Sequence, residues 1–285
     1  MLYLILAIIT SSSIFVIFKL FPRYRIQLLQ AITVNYITAA SMGFFIDRAN
    51  YHFNTLLQQE WMPFAIIIGI VFIFTFQLFA FSSQTAGVAI TAVSSKVSVV
   101  IPVLIGVLLY ANETLSILKV VGLLLAILSF LLVFHNNANM KINPRFMFLP
   151  IILFLANGFN DTIMAYSQRN HAGESTIVFI SCVFFTSMII GLVMLIIRLL
   201  FYKEKILLRN IIAGIILGIF NFLSTYYFFK GVAKIESAVF FPVLNTGIVI
   251  LSALSGILFF KEKFNLINWI GIVTAIVTII LIAIS

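Results

Sequence analysis

Hydrophobic and polar positions along this chain fall into long blocks. Ten apolar blocks occupy residues 2–20, 26–46, 61–81, 87–110, 115–134, 147–167, 175–197, 211–230, 236–259 and 264–284. Each is near the ~20 residues that a helix rising 1.5 Å per residue needs to cross the hydrocarbon core. The pattern predicts an all-α integral membrane protein with ten transmembrane helices. Residues 61–110 contain one charge, Lys96, and as a single helix would reach ~75 Å, too long for one crossing. The small, polar run Ser82-Ser83-Gln84-Thr85-Ala86-Gly87 is where the chain is expected to turn back. The matching break later on is Lys230-Gly231-Val232-Ala233-Lys234. Pro63 falls in a first helical turn, where a missing N–H costs little. Pro102 and Pro242 fall inside spans and free the carbonyls of Ser98 and Ala238, so a kink or local opening is expected at each.

The blocks form two sets of five whose last two members end alike. The first set gives Gly106-Val-Leu-Leu-Tyr-Ala-Asn-Glu113 and, nine residues on, Gly122; the second gives Ser255-Gly-Ile-Leu-Phe-Phe-Lys-Glu262 and, nine residues on, Gly271. This divides the chain into repeats at 1–138 and 139–285, joined through an Asn-rich linker from His135 to Arg145. Five is odd, so consecutive copies lie inverted relative to each other. Charge follows the same logic. Loops 1–2, 3–4, 5–6, 7–8 and 9–10 hold eleven Lys and Arg, and the other loops hold five. The positive-inside rule places the first group in the cytoplasm and both termini outside.

Composition agrees with the class. Hydrophobic residues make up 63% of the 285, mean hydropathy is +1.21 and only 9% are charged, against about 25% in soluble domains. The net charge of +9 belongs to the loops of a membrane protein and does not point to nucleic acid, since no polar segment exceeds about 14 residues. The lone Cys182 excludes an intramolecular disulfide and a cysteine metal site. The N-terminus lacks a basic region ahead of its apolar run and reads as a retained first span.

On the span count and the paired Glu113…Gly122 and Glu262…Gly271 motifs, the chain resembles the drug/metabolite transporter superfamily, and within it the ten-span group with two EamA-type repeats. The stretch from Phe241 through Pro242, Asn245 and Gly247 to Glu262 is also similar to the last helices of the small multidrug resistance carriers. The resemblance implies a secondary carrier, with export or exchange of a small metabolite or drug. It departs in the first span, where Ser11, Ser12 and Ser13 stand in place of the carriers' essential Glu. Proton coupling at that site is therefore not implied.

Ionisable groups inside a span default to functional candidates because they are costly there. Lys96 lies near the midpoint of span four and Asp161 a little past that of span six. Asn157, Asn160 and Asp161 are spaced to share a helix face. Inverted topology puts Lys96 and Asp161 roughly 9 Å apart in depth, within joint side-chain reach. Asp161 would bind a cation or proton and Lys96 a carboxylate, or the two would only orient helices as a buried ion pair. Asn221, Ser224 and Thr225 form a polar stripe on span eight, Asn245 sits on span nine, and Thr75 and Gln77 on span three. These read as cavity lining or, alternatively, as interhelical hydrogen bonds. Glu113 and Glu262, at span ends, are expected to cap the helix that follows.

No metalloprotease, nucleophile-elbow or phosphate-loop motif is present, and His52, His135 and His171 fall in separate loops, so neither an enzyme nor a cofactor is expected. The expectation is a secondary active transporter of a small polar metabolite, amino acid or drug, with or without protons, in a bacterial cytoplasmic membrane, working by alternating access as a monomer or homodimer. The alternatives are a flippase for a lipid-linked substrate and a non-transporting membrane subunit.

Overall fold

The computed structural model describes residues 2–47, 56–109, 117–134, 148–167, 176–232 and 237–283. These are helical: α1 (Leu2–Leu20), α2 (Leu28–Ile46), α3 (Met62–Thr85), α4 (Val88–Val97), α5 (Val100–Leu109), α6 (Ile117–Phe134), α7 (Leu149–Ser167), α8 (Thr176–Phe201), α9 (Leu208–Val232), α10 (Ser237–Phe260) and α11 (Leu266–Ala283). Helices α4 and α5 are halves of one interrupted span, so the chain makes ten spans. Among the described residues, six helices are long and apolar enough to cross a membrane on length and composition alone. Helices of the bundle carry large exposed apolar side chains, among them Ile127 and Leu131 of α6 and Ile196 and Leu200 of α8. In water such faces would be a liability; in lipid they are the solvated surface.

The chain packs as two compact units. The first comprises residues 1–19, 78–162 and 227–285, the second residues 20–77 and 163–226. Each draws on both halves of the sequence. This grouping is one of packing, whereas 1–138 and 139–285 is a grouping of sequence, and the two do not coincide.

In the first unit, α6 packs most extensively on α11, and α4 on α10. The α6–α11 seam accounts for the repeated glycines. Gly122 and Ala126 on α6, and Gly271 and Ala275 on α11, are buried, and small residues four apart let two helix backbones approach closely in lipid. Ala126, Ile272, Ala275 and Ile279 share one core with Ala89, Ile90, Val93 and Val97 of α4. In the second unit, α2 packs on α8. Gly43 faces Ser181 there, and a Cβ on Gly191 would come within 2.9 Å of Thr33 Oγ1. Each of the three leading pairs joins a span to the one five places later.

Both sequence-predicted breaks in the first half are present. Helix α3 ends at Thr85 and α4 begins at Val88, with Gly87 between them at φ 104°. The span around Pro102 is interrupted at Ser98–Val99. There the carbonyl that Pro102 cannot use accepts the Ile101 N–H at 2.9 Å, a tighter turn that satisfies the freed group. Pro242 differs: α10 runs through it as one element. It stands in the second helical turn, where only Ala238 beyond the helix's first residue loses its usual donor.

Candidate functional site

Nine of the ten residues of α4 are buried, and Lys96 is the exception. It sits in the last turn, one residue before the helix ends. At this end the Val99 N–H bonds back to the Lys96 carbonyl (3.4 Å), leaving the Ser95 carbonyl without its helical donor. Two side chains supply replacements. Ser98 Oγ donates to it at 2.5 Å and Asn157 Nδ2 of α7 at 2.9 Å. The same Asn157 amide lies 2.9 Å from Ser98 Oγ and 3.1 Å from Asp161 Oδ2 one turn along α7. Asp161 is exposed and interacts electrostatically with Lys96.

The structure therefore brings Lys96, Asn157 and Asp161 together around a broken helix end, with Ser95 and Ser98 completing the set. A carboxylate, an ammonium, an amide and a hydroxyl converge within one unit. The chemistry suits a solute that carries both charges, or a cation or proton at Asp161 with Lys96 as its counter-charge. Asn160 is buried on the same helix, and Asn245 is half-buried on α10 of that unit.

The other predicted residues lie in the second unit. Asn221 Nδ2 donates to Asn35 Oδ1 of α2 at 3.1 Å, and both residues are buried. Ser224 and Thr225 each donate to the Asn221 carbonyl on their own helix, both at 3.0 Å. Two of the three members of the stripe thus spend their donors locally, as Ser and Thr commonly do inside helices. Thr75 is buried, and the Gln77 side-chain nitrogen is buried with no hydrogen-bond partner among the described residues. Asn35 was missed in the sequence, although a mid-span Asn in Gln30-Ala-Ile-Thr-Val-Asn35 carries the same signal as Asn221.

Glu262 corrects the capping expectation. Helix α10 ends through Lys261 at φ 54°, and the Glu262 N–H closes back on the Gly256 carbonyl at 3.0 Å. This reversal turns the carboxylate away from the following helix. Oε1 instead accepts the Val88 N–H of α4 at 2.9 Å and faces Lys19 Nζ at 3.5 Å. The start of α11 is served by Asn265 and Asn268, which exchange N–H and side-chain oxygen at 2.8 and 3.1 Å, a capping box built from two asparagines. Glu113, His52, His135 and His171 lie outside the described residues. Cys182 is buried in α8.

Comparison with known proteins agrees with this architecture. Residues 147–284 match the family model of the EamA-like transporter family. The chain belongs to that family. An uncharacterized protein of Haemophilus influenzae is 25% identical over 283 residues, covering 95% of this chain and 93% of its own. A second uncharacterized protein, from Methanocaldococcus jannaschii, is 40% identical over 103 residues, which are 34% of this chain and 72% of that protein. A solved crystal structure overlays 96% of this chain and 95% of its own with a TM-score of 0.58 at 13% identity, which shows a shared fold. The chain is thus a helical integral membrane protein of the transporter class.

Proposed function

We propose that this EamA-type protein is a secondary carrier that moves a small, polar, zwitterionic solute, such as an amino acid, by alternating access. The observation that carries this reading is the interrupted fourth span. It leaves Lys96 as the one residue of α4 that is not buried and sets it against Asp161. Broken helices at membrane depth are tolerated only where protein or water covers them, and carriers place their binding sites at such breaks. In this reading Lys96 takes the solute carboxylate and Asp161 its ammonium. Asn157 fixes the geometry of the pair by holding the Ser95 carbonyl and the Asp161 carboxylate at once. The pairing of three spans, the second, fourth and fifth, each with the one five places later, supports two inverted repeats. The charge bias supports a bacterial cytoplasmic membrane with both termini outside. Export or exchange is the direction proposed, with the bilayer and the solute as the required partners.

The test is thermal unfolding of the detergent-purified chain against amino acids, cationic drugs and polyprenyl phosphates, run on wild type and on Asp161→Asn. A rise with a soluble zwitterion that disappears in the variant is the expected result. A rise with polyprenyl phosphate alone, unaffected by the variant, would replace this reading with a lipid-linked substrate.

A further inference from the structure

At one end of the second unit, two loops distant in sequence are tied together. Gln27 and Gln30 follow the turn after α1, and Asn210 opens α9. The Gln27 N–H donates to Asn210 Oδ1 (3.0 Å), and Asn210 Nδ2 donates to Gln30 Oε1 (2.7 Å). Gln30 Nε2 reaches the Lys205 carbonyl (3.0 Å). Gln30 and Asn210 are buried, so this is a fixed junction and not two loose tails. Its effect is to gather six basic residues, Arg23, Arg25, Arg198, Lys203, Lys205 and Arg209, all exposed. Among the residues of these two loops the one acid is Glu204, already engaged by Arg198 at 3.3 Å.

The patch has an apolar rim. Tyr24, Phe201 and Leu208 are exposed by 59%, 78% and 71%, and Arg198 stacks over the Tyr202 ring at 5.1 Å. Aromatic and aliphatic groups beside clustered bases, at the end of membrane spans, fit the boundary between acyl chains and headgroups. Six cations with one anion form an uncompensated field that solvent alone screens poorly at short range. A membrane's own anionic headgroups would neutralise it.

We propose that this junction is a binding site for anionic phospholipid headgroups, phosphatidylglycerol being the simplest representative, on the leaflet facing loops 1–2 and 7–8. The phosphodiester accepts hydrogen bonds from the bases while the acyl chains lie along Tyr24, Phe201 and Leu208. The site is separate from the Lys96–Asp161 group and does not depend on what the protein carries.

The experiment is thermal unfolding of the full chain in detergent micelles doped with phosphatidylglycerol or with phosphatidylcholine, at low and high salt. Wild type should gain about 5 °C or more from phosphatidylglycerol over phosphatidylcholine, and high salt should remove most of that gain. The quadruple variant Arg23→Gln, Arg25→Gln, Lys203→Gln, Lys205→Gln should lose the gain, while Lys261→Gln with Lys263→Gln should keep it. Equal stabilisation by both lipids, insensitivity to salt, or retention of the gain in the quadruple variant would overturn the proposal. So would an equal gain from soluble glycerophosphate, which would make the patch a free-anion site. If the quadruple variant does not fold, the four single variants and the wild-type salt series decide on the same criteria.

Discussion

Glu262 shows how one side chain can hold a repeat signature for a reason that spacing does not reveal. Its carboxylate is 6% exposed, accepts the first N–H of α4 and faces Lys19. Lys19 in turn donates to the Gln84 carbonyl at 3.3 Å, so the ends of α1, α3, α4 and α10 meet at this one group. Gly256 lies beside it, and a Cβ there would displace Glu262 Oε2. Glu262→Ala would leave the Val88 N–H without its acceptor and the Lys19 ammonium without its counter-charge, a loss of about 1–3 kcal/mol. Glu262→Gln keeps an oxygen for Val88 and gives up only the charge pair, so its loss should be the smaller of the two. Thermal unfolding of both variants checks the order; equal losses would mean that the ion pair, and not the cap, is what matters.

The fourth span is the element on which the carrier reading turns. Pro102 removes one donor, and the chain responds with a tighter turn at Ser98–Ile101 and a borrowed amide from Asn157. A Pro102→Ala variant restores the donor and permits α4 and α5 to join. Its melting temperature should be unchanged or higher, since proline inside a helix costs about 3 kcal/mol, while solute-dependent stabilisation falls because Lys96 is no longer at a helix end. A variant that melts higher and keeps full solute response would remove the break from the binding mechanism. The α6–α11 pair illustrates the opposite kind of element. Its Gly122–Ala126 and Gly271–Ala275 stripes are spent on close packing, and its outward faces meet lipid.

For the whole molecule, the distribution of charge sets orientation. The six bases gathered at the α1–α2 and α8–α9 ends should face the cytoplasm. In a Cys182→Ser background, a Lys203→Cys variant should resist a membrane-impermeant maleimide added to intact cells and react once the membrane is opened. Labelling in intact cells would invert the orientation. The two compact units each draw on both halves of the chain, so packing and sequence repeat divide the chain along different lines.

Much of this was legible in the residues alone. Span count, membrane class, the turn at Gly87 and the opening before Pro102 follow from local rules. Lipid demands length and apolarity, glycine admits a positive φ, and proline lacks a donor, so each can be read within a few positions. Lys96 and Asp161 stood out because a charge in an apolar block is costly wherever it ends up. What the sequence could not decide is which distant group answers each local need. Glu262 caps a helix 174 residues away, Asn157 rescues a carbonyl 62 residues away, and Gln27 and Asn210, 183 residues apart, bring two basic loops into one patch. Those pairings depend on how helices pack against one another. A helix end announces its unsatisfied groups in its own sequence, but only the tertiary structure chooses the partner.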